Sequence, residues 1–145
     1  MTHSLPPKSL VLYADDDRDD IDLVMDAFRD HAQNVEVLTF SDGIQLMEYV
    51  EHLDPLQPLP CLFILDINMP RLNGKETLRR LRTMESFVNV PAVIFSTSTM
   101  PADENFAKSF NAGFITKPLR TEQIFHIIDA FIDHCSEDVR KTLRG

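Results

Sequence analysis

A chain of 145 residues, 43% hydrophobic and 26% charged, has the size and balance of one globular domain with a real core and leaves no length for a second. Its formal net charge of -9 argues against nonspecific attraction to nucleic acid or to an anionic membrane surface, which needs a basic patch. No apolar run approaches the roughly 20 residues that span a bilayer, and the N-terminal "MTHSLPPKSL" lacks the apolar core of a signal peptide, so the expected location is the cytoplasm.

After a polar arm over residues 1–7, Leu10 to Tyr13 reads as a short buried strand. Asp19 to His31 follows as a helix, with Ile21, Val24, Met25 and Phe28 at the i, i+3, i+4, i+7 positions of one face. "VEVLTF" (35–40) is a second strand. "SDGIQLMEYVEHL" (41–53) is a second helix, capped by Ser41 or Asp42, whose apolar face is Leu46, Tyr49, Val50 and Leu53. The proline-rich "DPLQPLP" (54–60) is a loop. "CLFILD" (61–66) is a continuous apolar strand of the kind covered on both faces. A helix at 75–84, a strand at 91–96, a helix at 102–112 and a strand at 113–117 come next. The last helix, from about Thr121 to about His134, carries Ile124, Ile127, Ile128 and Phe131 on one face.

Five strands alternating with five helices predict an α/β fold: a doubly wound parallel sheet with helices on both faces, because right-handed crossovers lay each helix over the sheet. The domain is expected over residues 8–134. Residues 135–145 are a helix extension or tail, with no output domain following. Cys61 and Cys135 lie far apart with neither a CxxC nor a metal-ligand spacing, so neither a disulfide framework nor a zinc site is expected, and both should be reduced and buried.

In an open parallel sheet the ligand crevice lies outside the carboxyl ends of the strands. Those ends carry Asp15 and Asp16, Asp66, Ser96 and Lys117. Three carboxylates at close quarters repel one another unless a cation sits among them or one is protonated. Oxygen ligands without histidine or cysteine favour a hard cation such as Mg2+, and Mg2+ suggests phosphate chemistry. The rest of "DDDRDD" has a plainer role: Asp19, Asp20 and Asp17 suit a helix start, where the dipole favours negative charge.

"YADDD", "ILDINMPRLNG", "VIFSTS" and "FITKP", in this order and spacing, resemble the receiver domain of two-component response regulators, of the stand-alone single-domain type. The resemblance implies a flavodoxin-like sheet with strand order 2-1-3-4-5. It also implies that a histidine kinase or histidine phosphotransfer protein donates a phosphoryl group to Asp66. Asp15 and Asp16 match the acidic pair that holds Mg2+ directly or through water, and Asn68 matches the position whose backbone carbonyl joins them. Lys117, before Pro118, matches the lysine that reaches a phosphoryl oxygen, and Ser96 the hydroxyl that hydrogen-bonds another. Ser96 and Phe114 match the switch pair. Signalling would pass through the face of the fourth helix, fifth strand and fifth helix, toward a partner protein or a second copy of the chain. The "STS" after the fourth strand and the long "EHLDPLQPLP" connection resemble the single-domain receivers paired with phytochrome-like kinases.

A Mg2+-dependent phosphohydrolase also forms an aspartyl phosphate at a strand end. It usually has a second carboxylate two residues after the nucleophile, where this chain has Asn68, which does not serve as acid and base. An unphosphorylated receiver-like scaffold is the other alternative. Direct DNA reading fails on length, since only about ten residues follow the last helix and a recognition element needs more. Gly74 and Pro70 read as loop-shaping residues. Lys75, Arg79, Arg80 and Arg82 read as a solvated helix face, and His126 and His134 as surface or partly buried residues.

Overall fold

The apolar runs around Val11 to Ala14, Leu62 to Leu65 and Ala92 to Ser96 are buried along their whole length, which makes them the centre of a sheet covered on both sides. The computed structural model describes residues 9–31, 34–54, 56–117, 123–135 and 140. Its elements are β1 (Ser9–Ala14), α1 (Arg18–His31), β2 (Val35–Phe40), α2 (Gly43–Glu51), β3 (Leu62–Leu65), α3 (Gly74–Thr83), β4 (Ala92–Ser96), α4 (Pro101–Ser109), β5 (Gly113–Thr116) and α5 (Ile124–Asp133). All strand pairs are parallel and the order is β2-β1-β3-β4-β5, as the receiver resemblance implied.

Alternation along the strands sorts the core into two layers. Val11, Tyr13, Ile64, Val93 and Phe95 face one side and pack with Val24 and Phe28 of α1 and Ile128 and Phe131 of α5. Leu12, Phe63, Leu65 and Ile94 face the other and pack with Leu46 of α2, Leu78 and Leu81 of α3 and Ala107 of α4. Phe131 anchors the first layer: its ring meets Phe95 edge-on at 5.1 Å between centroids and stacks on Phe28 at 6.0 Å. Burying a side chain of this size contributes about 1.5–3 kcal/mol.

The element ends show local chemistry at work. Asp42 is extended and its carboxylate accepts from the Gln45 N–H at 2.9 Å, so it, and not Ser41, caps α2. Its other oxygen pairs with Arg71 Nε at 2.8 Å, and these hydrogen bonds outweigh burial and hold the Asp42 carboxyl below the usual range. α4 stops at Ser109, three residues short of expectation, because Asn111 takes a left-handed φ of 55°. The start of the last helix near Thr121 and the Pro118 position lie outside the described residues.

Two readings of the sequence are corrected. Gly74, read as loop-shaping, does not take a turn conformation closed to other residues; the left-handed conformation in this loop belongs to Arg71, with φ 64°. Gly74 is required by close approach instead, since a Cβ there would sit 1.9 Å from the Asp66 carbonyl oxygen. The basic residues of α3 are not simply a solvated face. Lys75 pairs with Asp103 of α4 and lies over the Phe106 ring, while Arg79 stacks on Phe106 and Phe110. Arg82 is half-buried and donates to four carbonyls: Phe110 (2.9 Å), Phe87 (3.0 Å), Val90 (2.7 Å) and Asn111 (3.3 Å). Burial lowers its pKa from the ordinary guanidinium value. It ties together the end of α3, the 84–90 turn and the end of α4.

Candidate functional site

The carboxyl ends of β1, β3, β4 and β5 bring the expected residues together. Asp15 follows β1 and is fully buried, and its backbone N–H bonds to Phe40 O of β2 at 3.0 Å. Asp66 follows β3, with its N–H on Ala14 O at 3.0 Å and its Oδ1 accepting from Ile67 N–H at 2.8 Å. These bonds orient the Asp66 carboxylate at the sheet edge. Asp16 is exposed at the rim. One oxygen from each of Asp15, Asp16 and Asp66 lies within 4.8 Å of the others.

Lys117 follows β5 with its own N–H on Ser96 O at 2.8 Å, and its ammonium is sunk among the acids. Nζ is 2.8 Å from Asp15 Oδ2, 2.7 Å from Asp20 Oδ2 and 3.4 Å from Asp66 Oδ2. Burial works against the ammonium, but the hydrogen bonds to Asp15 and Asp20 prevail and raise its pKa, so it stays charged. Asp66 is pushed up to about 7, first by burial and then by the neighbouring Asp15 charge; Lys117 offsets only part of this.

Two participants escaped the sequence reading. The Tyr13 hydroxyl donates to Asp15 Oδ2 at 2.6 Å, and burial together with the Asp15 charge raises the phenol so far that it remains a donor. The available signal was strand alternation, which puts residues i and i+2 on one face. Asp20, read as a helix-start acid, does lie in the first turn of α1 and also reaches Lys117; the acid that caps α1 is Asp17, whose Oδ1 accepts from the N–H groups of Asp19 (3.0 Å) and Asp20 (3.2 Å). Nothing in "DDDRDD" separates these roles, because all its members suit a helix start.

Ser96 is fully buried at the end of β4, and its Oγ accepts from Ser98 N–H at 3.2 Å. Ser98 Oγ in turn donates to Asp103, the acid that Lys75 holds, so Ser96 is linked through the loop to α4. Phe114 is half-buried on β5 against the α2–α3–α4 layer. Asn68 is exposed in the loop after β3, and His126 and His134 are exposed on and just after α5.

The donor set suits a hard divalent cation: three carboxylates, oxygen ligands throughout, two of them buried and one open to water. Residues 11–129 match the family model of the response regulator receiver domain. The chain belongs to that family. Receiver domains are signalling domains that interact with histidine kinases or phosphotransfer proteins. This receiver is 24% identical over 128 residues to the response regulator Rcp1 of Synechocystis sp. (strain PCC 6803), a match that covers 86% of each chain. The solved structure of the phosphorylated cyanobacterial phytochrome response regulator RcpA superposes with a TM-score of 0.77 at 26% identity, over 85% of this chain and 90% of that one. The Mn2+-bound form of Rcp1 has the same fold, with a TM-score of 0.75 at 22% identity over 84% and 90% of the two chains. Among the described residues no helix is long and apolar enough to cross a membrane.

Proposed function

We propose that this receiver, a unit spanning residues 8–134, accepts a phosphoryl group on Asp66 from a histidine kinase or histidine phosphotransfer protein and signals by a change of its partner-binding surface. The observation that carries the reading is the convergence of Asp15, Asp16 and Asp66 within 4.8 Å, with the Lys117 ammonium reaching both Asp15 and Asp66. An Asp66 oxygen attacks phosphorus, the new O–P bond forms, and the P–N bond to the donor imidazole breaks. The three peripheral oxygens then need positive or donor groups around them.

Lys117 supplies one such group and the Ser96 hydroxyl a second. Mg2+, held by Asp15, Asp16, Asp66 and the backbone carbonyl of Asn68, supplies charge neutralisation when bound. Tyr13 and Asp17 N–H, each hydrogen-bonded to Asp15, keep that carboxylate aimed at the site (2.6 and 2.9 Å). Lys117 must loosen from Asp20 to follow the phosphoryl oxygen. For Ser96 to turn toward that group its oxygen must leave Ser98 N–H, which disturbs the Ser98–Asp103 contact at the start of α4. Phe114 on the adjacent strand fills the space behind it. The face of α4, β5 and α5 is thus the output surface, for a partner protein or a second copy, and the kinship with RcpA, solved in its phosphorylated form, supports the reading.

Incubation with acetyl phosphate, with and without Mg2+, followed by intact mass, tests it. One added phosphoryl group that requires Mg2+ and is absent from Asp66→Asn is expected. Acid-labile phosphate on Asp66→Asn refutes Asp66 as the acceptor, and no uptake by the wild type under any condition refutes the reading itself.

A further inference from the structure

The acids occupy the carboxyl ends of the strands; at the opposite edge, where β4 and β5 begin, lies a second concavity of about 330 Å3. Arg82, Asn89, Asn111 and His134 line it with polar groups, and neither an Asp nor a Glu is among its walls. Val90, Pro91, Ala92 and Ala112 supply an apolar wall. The His134 imidazole rests against Gly113, the first residue of β5: a Cβ there would sit 2.3 Å from its Cε1, 2.6 Å from Nε2 and 2.8 Å from Nδ1. The ring's place on the cavity wall therefore depends on a residue without a side chain.

Arg82 brings an unpaired charge to this wall. A guanidinium has five N–H groups. Four of them go to the Phe110, Phe87, Val90 and Asn111 carbonyls, and the fifth, on Nη2, has no partner among the described residues. Those partners are dipoles, not charges. Among the described residues Arg82 forms no ion pair, and burial lowers its pKa with no carboxylate beside it to raise it. A half-buried cation without a counter-ion attracts an anion more strongly than an exposed one, because less water screens it. In a chain of net charge -9 this corner reverses the local sign.

The geometry points to a binding site for a small organic carboxylate in this concavity, anchored by Arg82 and His134. The carboxylate takes the spare guanidinium N–H and donors of the imidazole and the two amides, while the carbon skeleton covers the apolar wall. A volume of about 330 Å3 stands at the lower end of the range for small-molecule sites and exceeds what an inorganic anion fills. An inorganic anion would also leave the apolar wall wet. An organic occupant bridges α3, the start of β5 and the residue that follows α5, and so bears on two elements of the proposed output face. This inference does not rest on the phosphoacceptor reading, because none of the strand-end acids takes part.

The test titrates the full-length wild type in EDTA, isotopically labelled for NMR, with benzoate, with the neutral benzamide, and with sodium chloride at matched ionic strength. Benzoate should shift the Ala112 and Gly113 amides and the His134 ring saturably, with a Kd of about 1 mM or below, while benzamide and chloride should not saturate. Asn89→Asp puts a negative charge on the wall and should weaken benzoate binding about tenfold or more; His134→Ala should weaken it about three- to tenfold. Asn89 and His134 are both exposed, so these substitutions spare the core. No saturable shift with benzoate, equal binding of benzamide, or an affinity unchanged in Asn89→Asp overturns the proposal.

Discussion

Asp66→Asn should stabilise the metal-free protein, and do so more at high pH than at low. The Asp66 carboxyl has an ordinary value of 3.8 and is pushed up to about 7 in the fold by burial and by Asp15. Between those two values the folded chain keeps the proton that the unfolded chain has lost. The stability linked to this group is therefore complete below about pH 4 and is lost as pH rises through 7. At 1.36 kcal/mol per tenfold change the gap corresponds to about 4 kcal/mol. The amide that replaces the carboxylate must itself be desolvated, and Lys117 loses a favourable neighbour. A net gain of about 1–3 kcal/mol at pH 8 is expected, and because the amide and Lys117 costs do not depend on pH it falls by about 2.7 kcal/mol, to near zero or a net loss, at pH 5. The Ile67 N–H keeps its acceptor in the variant, so the local turn survives. Urea unfolding of both proteins in EDTA across this pH range measures the difference. A variant less stable than wild type at pH 8, or a gap that does not narrow on acidification, refutes the electrostatic account. Millimolar Mg2+ should then close the gap by stabilising the wild type more.

Arg82→Ala should lose about 2–4 kcal/mol, because it strips donors from four carbonyls and leaves a half-buried gap; urea unfolding checks this, and a loss below about 0.5 kcal/mol would mean water replaces the guanidinium. Asp20→Asn should leave the acceptor intact but weaken the hold on Lys117, raising the initial rate of phosphorylation by acetyl phosphate about two- to tenfold. A rate unchanged or lowered would make Asp20 a supporter of the lysine instead of a competitor for the phosphoryl oxygen.

The strand ends that build the site were legible because a parallel sheet sends each carboxyl end to one edge, so Asp15, Asp66, Ser96 and Lys117 could be grouped before any coordinates. The α1–α5 core layer was legible from Ile21, Val24 and Phe28, and from Ile124, Ile128 and Phe131, at helical spacing. What stayed hidden were partnerships across distant chain segments. Asp20 meets Lys117 over 97 positions, and Arg82 meets the Phe110 carbonyl over 28. Charge alone marks Asp20 as one of several acids and Arg82 as one of several bases. Only the approach of the start of α1 to the end of β5, or of α3 to the end of α4, selects among them.

The Arg82 clamp also sets how α4 can move. At its C-terminal end the helix is held by the guanidinium on the Phe110 and Asn111 carbonyls, while its N-terminal end rests on the Asp103 contacts with Ser98 and Lys75. A rod fastened at one end and latched at the other would behave as a lever: the clamp would be its fulcrum, and a shift at Ser98 would loosen the latch. Motion begun at Ser96 would swing the first turn of α4, and the exposed Met100 just before it, far more than the last.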